Sequence, residues 1–173
     1  MTSVEKYNGV ARALHWSIAV LIICNLLSGI LHEPLHMGAV LIPSHKAIGL
    51  TVLVLSVARL LWRLTWTHPP YPSHMPGWER GAATLVHVLL YVGMIGMPLS
   101  GWIFASASPR DLSWFGLFDW PKLPFAKGDA LVGFSHEFHT VFGYSMAVVL
   151  VLHIAAALRH HFVLRDTVLR RML

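Results

Sequence analysis

Four stretches of this chain, at about residues 13–31, 45–64, 83–105 and 138–158, are almost unbroken apolar sequence. Each is near the ~20 residues that a helix needs to cross a hydrocarbon core ~30 Å thick. Backbone inside lipid has to satisfy its own hydrogen bonds, so stretches of this kind fold as helices. The expected fold class is all-α, an integral membrane four-helix bundle forming a single membrane domain over residues 1–173. Composition agrees, with 55% hydrophobic and only 12% charged residues, where a soluble domain carries about 25% charged. The lone Cys24 lies inside the first apolar stretch, which excludes a disulfide framework and a thiolate metal site. Lys6 and Arg12 precede that stretch as in a signal peptide. Its core is long and no small-x-small cleavage site follows, so it reads as a mature span.

Basic residues orient the bundle. Lys6, Arg12, Arg59, Arg63, Arg80, Arg159, Arg165, Arg170 and Arg171 fall on one side, and Lys46, Arg110, Lys122 and Lys127 on the other. The positive-inside bias then puts both termini in the cytoplasm. Topology accounts for the net charge of +5, and no nucleic-acid partner is expected. The connection Thr65–Ala82 holds four prolines (Pro69, Pro70, Pro72, Pro76) and should be extended and surface-lying. The longer connection Ser106–Gly133 carries Trp114, Phe115, Phe118 and Trp120, which suits a cap at the membrane interface.

The anomaly is twelve histidines in so apolar a chain. His139 and His153 bracket an apolar run in the fourth span, fourteen residues apart. Fourteen helical steps return to within ~40° of one face and cover ~21 Å. Ionisable groups inside a membrane helix are costly and mark functional sites. With the topology above, His15 and His153 lie toward the cytoplasm, and His45 and His139 toward the outside. Two depth-matched pairs fit two bis-histidine haems, one per leaflet.

Other histidines compete. His87 shares the inner depth of His15 and could replace it; its plainer role is a buried imidazole bonded to backbone or to a propionate. His136 is one turn from His139 but seventeen residues from His153, ~100° off its face. His32 and His36, with Glu33, form a solvated edge or a surface metal site. His68 and His74, in the proline-rich connection, carry no assigned chemistry. His160 and His161 follow Arg159 at the cytoplasmic mouth of the fourth span. They are either snorkelling interfacial residues or part of a quinone site, where an imidazole bonds a quinone carbonyl and supplies a proton. His160, two helical turns beyond His153, ranks ahead of His161. Arg59 and Arg63 are either propionate partners or positive-inside anchors. Gly49, Gly101 and Gly143 would let a flat macrocycle approach the backbone.

These residues fall in a familiar pattern: Arg12-Ala-Leu-His15-Trp16, His45-Lys-Ala-Ile-Gly49-Leu, Arg59-Leu-Leu-Trp-Arg63, His87-Val-Leu-Leu-Tyr91 with Met97-Pro-Leu-Ser-Gly-Trp102, and His153-Ile-Ala-Ala-Ala-Leu-Arg-His-His161 followed by Arg165-Asp-Thr-Val-Leu-Arg-Arg-Met172. Over nearly its whole length the chain resembles the small bacterial cytochrome b561 family, four-helix dihaem membrane proteins. The resemblance implies two haem b ligated by His15, His45, His139 and His153, and leaves His87 unligated. One departure stands out. The family usually places Glu directly after the outer ligand of the fourth helix, whereas here Glu137 follows His136 and Thr140 follows His139. The fourteen-residue spacing and the match from His153 onward favour His139.

The resemblance further implies a bacterial inner-membrane protein that contacts lipid, oxidises superoxide outside and passes the electrons to ubiquinone inside. Lys46, Arg110, Lys122 and Lys127 would then form a positive funnel for the superoxide anion. His160 would be the catalytic proton donor to quinone. Two other classes compete: a carrier moving electrons from quinol to a periplasmic redox partner, and a non-haem metal-binding membrane protein. The last is disfavoured because the histidines fall in two layers ~21 Å apart.

Overall fold

The computed structural model describes residues 6–67, 69–72 and 75–173; His68 and His74 lie outside them. Four helices dominate: α1 (Gly9–Leu31), α2 (Gly38–Leu64), α3 (Gly77–Ser106) and α4 (Ala130–Leu158). All four are long and apolar enough to cross a membrane. Local chemistry sets the ends. Asn8 caps α1 by accepting the Ala11 N–H at 2.8 Å, and at the end of α2 the Thr65 hydroxyl donates to the Trp62 carbonyl at 2.7 Å. The helices run beyond the apolar stretches, because polar residues such as Ser44 and Ser135 interrupt hydropathy but not the backbone ladder. His45 and His139 therefore sit two or more turns inside α2 and α4 rather than at their starts.

Helices adjacent in sequence pack on one another, with far fewer close backbone approaches between α1 and α4. The centre is a cluster of Ile18, Ile22, Val52, Met94 and Met146, all buried. Four of these define a level to which every helix contributes: Ile22, Val52, Met94 and Met146. Seven residues away from each along its helix stand Gly29, His45, Gly101 and His139 toward one end, and His15, Arg59, His87 and His153 toward the other. Seven helical steps return to within ~20° of one face and advance ~10 Å. The bundle is thus a heptad ladder with an apolar middle level between two levels of imidazoles. Outward residues such as Val20, Leu27, Val148 and Val151 are more than half exposed, as expected of side chains that face lipid.

The connection after α3 closes the end of the bundle remote from the termini. Two short strands, β1 (Ser113–Trp114) and β2 (Phe118–Asp119), pair antiparallel. The turn between them has positive φ at Phe115 and Gly116. Trp114 Nε1 donates to Thr51 Oγ1 of α2 at 3.0 Å, and Trp102 Nε1 of α3 donates to the Pro121 carbonyl at 2.9 Å. Leu112 packs beneath this cap against Leu50 and Ala105. At the opposite end the C-terminal residues lie across α1. Trp16 Nε1 donates to the Met172 carbonyl at 2.9 Å, Arg12 donates to the Leu173 carbonyl, and Arg171 to that of Pro70.

In lipid the water-driven term between helices is absent, so steric fit decides their association. A Cβ at Gly93 would lie 2.5 Å from Met146 Sδ and 3.0 Å from its Cε. Gly93→Ala should therefore destabilise the purified protein by about 1–3 kcal/mol through overpacking, read as a lower unfolding temperature. Gly81→Ala, where nothing lies within 4 Å, should be neutral or slightly stabilising.

Candidate functional site

At the capped end the rings of His45 and His139 face each other with centroids 5.9 Å apart and planes at 78°. Both are held by one device used twice. His45 Nδ1 lies 3.0 Å from the Asn25 carbonyl and 3.2 Å from Ser28 Oγ; His139 Nδ1 lies 3.0 Å from the Met97 carbonyl and 3.1 Å from Ser100 Oγ. Each serine hydroxyl donates to the same carbonyl as its histidine, at 2.8 Å in both cases. A carbonyl can only accept, so Nδ1 carries the proton and Nε2 keeps its lone pair, the form in which an imidazole ligates metal. The next residue is glycine each time: a Cβ at Gly29 would lie 2.8 Å from His45 Cε1, and one at Gly101 3.0 Å from His139 Cε1.

Around these rings is a cavity of about 510 Å³, lined by all four helices and by Leu112 of the cap. Its size suits a cofactor. Gly49 and Gly143, each one turn past the histidine of its own helix, lie on the wall. Lys46 lines the cavity and lies within electrostatic reach of Arg110 and Lys122. Lys122 Nζ donates to the Ser108 carbonyl at 2.9 Å and stands 4.0 Å from Asp111. The side chain of Lys127 makes no ion pair or hydrogen bond among the described residues.

His136 also lines the cavity but has no such seat. Its ring meets Phe104 edge-on at 5.3 Å, its Nδ1 is 3.8 Å from Glu137, and its side chain is 62% exposed. His32 Nδ1 donates to the Gly29 carbonyl at 2.7 Å, beside Glu33. Among the described residues, no group of three or more His, Cys, Asp or Glu is arranged to hold a metal ion.

At the other level three imidazoles meet. His153 lies 6.3 Å from His15 and 5.6 Å from His87, centroid to centroid. Arg59 donates to His15 Nδ1 at 3.1 Å, so this ring has the reverse polarity of His45 and His139. Arg59 and Arg63 both stand over the Tyr91 ring, at 5.6 and 5.9 Å. The cavity beside them is small, about 20 Å³. Tyr7 closes it, and burial pushes its phenol above the ordinary value, so it stays neutral there.

Beyond α4 the chain forms a π turn over Arg159–Val163, wider than the α-helical turns on which the placement of His160 rested. His160 Nδ1 lies 2.5 Å from Asp166 Oδ2. His161 Nδ1 is buried with no hydrogen-bond partner among the described residues, its ring edge-on to Phe162 at 4.7 Å.

Asn25, Ser28, Gly29, Met97, Ser100 and Asp166 were not singled out from the sequence. A signal was there for three of them, Ser28, Gly29 and Ser100. Ser28-Gly29 follows His15, and Ser100-Gly101 follows His87, at the same spacing. Nothing comparable flagged Asp166.

The pattern that defines the prokaryotic cytochrome b561 family matches residues 6–173. The chain is similar to cytochrome b561 homolog 2 of Escherichia coli (strain K12), 32% identical over 98% of this chain and 92% of that protein. It is also similar to cytochrome b561 homolog 1 of the same organism, 30% identical over 75% and 73%. A probable superoxide oxidase, CybB of Yersinia pestis, is 30% identical over 98% and 96%.

The glycine seats can be tested directly. Gly29→Ala and Gly101→Ala each press a methyl group against an imidazole, at 2.8 and 3.0 Å from Cε1, and push the ring off its carbonyl. Each should weaken or shift the visible absorption of the purified protein, while Gly9→Ala, which meets nothing within 4 Å, should leave the spectrum unchanged.

Proposed function

The chain belongs to the prokaryotic cytochrome b561 family, and from that premise we propose that it is a dihaem cytochrome that oxidises superoxide at the periplasmic face and reduces ubiquinone near the cytoplasmic face. Family membership makes it a redox-active, multi-pass protein of the bacterial inner membrane and implies b-type haem. The observation that carries the finer reading is the seat of His45 and His139 around a cavity with Lys46 on its wall. A relative named as a probable superoxide oxidase supports the choice of donor. The excess of basic residues at the end holding the termini supports a cytoplasmic assignment for that end.

The residues at the capped level fit haem. Two imidazoles have Nδ1–H committed and Nε2 free, the cavity lies around them, and two glycines on its wall leave room for a flat ring. No Cys-x-x-Cys-His is present, so attachment is non-covalent. When bound, haem supplies a one-electron couple tuned by its axial pair, burial and hydrogen bonds. His45 and His139 would hold one haem and His15 and His153 the other. Arg59 and Arg63 are the cations that would be available to inner propionates, and such a contact would release His15 Nδ1 from Arg59.

Outside, Lys46, Arg110 and Lys122 attract the superoxide anion. Lys127, included in the funnel on sequence grounds, adds charge but no described contact. No nucleophile or base is required there, because the anion gives up one electron and departs as O₂. Two such oxidations match one quinone, which takes two electrons and two protons to become quinol. The protons enter from water at the cytoplasmic end, where His160 stands.

Purified protein in lipid nanodiscs should reduce ubiquinone when superoxide is supplied, at a second-order rate that falls as salt shortens the reach of charge below ~10 Å. Lys46→Glu with Arg110→Glu should lower that rate about tenfold at low salt and leave the spectrum intact. A rate indifferent to both changes removes the steering argument. Absence of superoxide-driven quinone reduction favours instead a carrier between quinol and a periplasmic partner.

A further inference from the structure

The short segment after α4 is built around one carboxylate. Asp166 lies six residues past His160, and the two side chains meet at 2.5 Å with only 12% and 5% exposure. Among the described residues, both carboxylate oxygens and the backbone N–H of Asp166 have partners. Its backbone N–H donates to the His160 carbonyl at 3.1 Å, and Oδ1 accepts the Val168 N–H at 2.9 Å. Oδ2 faces His160 Nδ1. The fold goes to some trouble to make this loop. The helix widens into a π turn at Arg159–Val163, a feature that often marks functional sites, and Arg165 adopts a left-handed φ of 54° to bring Asp166 back beneath the turn. A non-glycine residue rarely adopts that conformation. Neighbouring His161 gets no such partner among the described residues.

We infer that Asp166 is the positioning residue for proton delivery to the quinone, an inference that rests on the reading of His160 given above. A carboxylate that accepts the Nδ1 proton leaves Nε2 as the site through which protons exchange, and it prevents the ring from flipping. A buried carboxylate behind an imidazole sets both tautomer and orientation. The step balances. The quinone gains two electrons originating from two superoxide ions, one of its oxygens takes a proton from His160 Nε2, and water at this end supplies the second proton and reprotonates the ring. Nδ1–H stays on Asp166 throughout. This assigns His160, rather than His161, to the proton transfer on grounds independent of helical position.

The experiment pre-reduces the purified protein with dithionite and follows reoxidation by added ubiquinone in stopped flow. Asp166→Asn should keep the haem spectrum and keep the half-saturating quinone concentration within about twofold. Its maximal rate should fall ten- to hundredfold, the usual cost of losing such an orienting partner. Asp166→Glu, which retains a carboxylate, should recover most of that loss. A role confined to holding the loop would raise the half-saturation along with the loss of rate, and Glu would not rescue it; that pattern overturns the inference. A wild-type rate in Asp166→Asn beside a slow His160→Leu also overturns it. A wild-type rate in His160→Leu overturns the quinone reading itself, which keeps the two failures distinct. Should the Asp166 variants lose their haem, histidine-¹⁵N NMR of the unaltered protein decides. The His160 signal, identified by its loss in His160→Gln, should show Nδ1 protonated, and a ring protonated only at Nε2 refutes the assignment.

Discussion

Two backbone carbonyls inside the bundle, those of Asn25 and Met97, hold the capped level together. An imidazole placed in a membrane interior is costly unless its N–H finds an acceptor, and side-chain acceptors there are few. A helix carbonyl has a second lone pair beyond the one used in its own ladder, and a serine one turn on reinforces the contact at both places. Glycine follows because each ring then lies against the next residue of the opposing helix. Once those contacts are made, the spacing of α1 from α2, and of α3 from α4, is set at that level, and both Nε2 atoms are free by the same stroke.

The heptad spacing carries this order along the bundle. Ile22, Val52, Met94 and Met146 make an apolar floor beneath the cavity, and ~10 Å further on the four equivalent places are His15, Arg59, His87 and His153. The two halves, α1 with α2 and α3 with α4, are alike at the capped level and differ at the other. There an arginine stands on α2 where α4 has His153, and the imidazoles of α1 and α3 both approach His153. The asymmetry gives that level a cation as well as three imidazoles, chemistry suited to anionic groups and to protons.

Much of this was legible in the chain. Apolar length predicts four helices, and alternating direction predicts which histidines share a depth; the rings of His15 and His153, and of His45 and His139, do lie together. The seat was not legible, because a backbone carbonyl has no letter in a sequence and its use depends on how two helices are rotated. His136 and His139 illustrate this: one turn apart on one helix, they are separated by whether Met97 lies opposite. The π turn at Arg159–Val163 was not legible either, since the sequence reading of His160 assumed a regular α-helix there. The four outer cations look alike in the sequence, and neither hydropathy nor charge counts could show that, among the described residues, only Lys122 anchors its side chain, to the Ser108 carbonyl and beside Asp111.

The proposed arrangement puts one haem at each of two levels, with His139 rather than His136 at the capped one. The most direct measurement is haem per chain by the pyridine haemochrome assay on purified protein, repeated for two alanine variants. The account predicts two haems in the unaltered protein, two in His136→Ala and one in His139→Ala. A single haem in the unaltered protein would contradict the two-level arrangement. Loss of haem in His136→Ala with full retention in His139→Ala would contradict the seat at Met97.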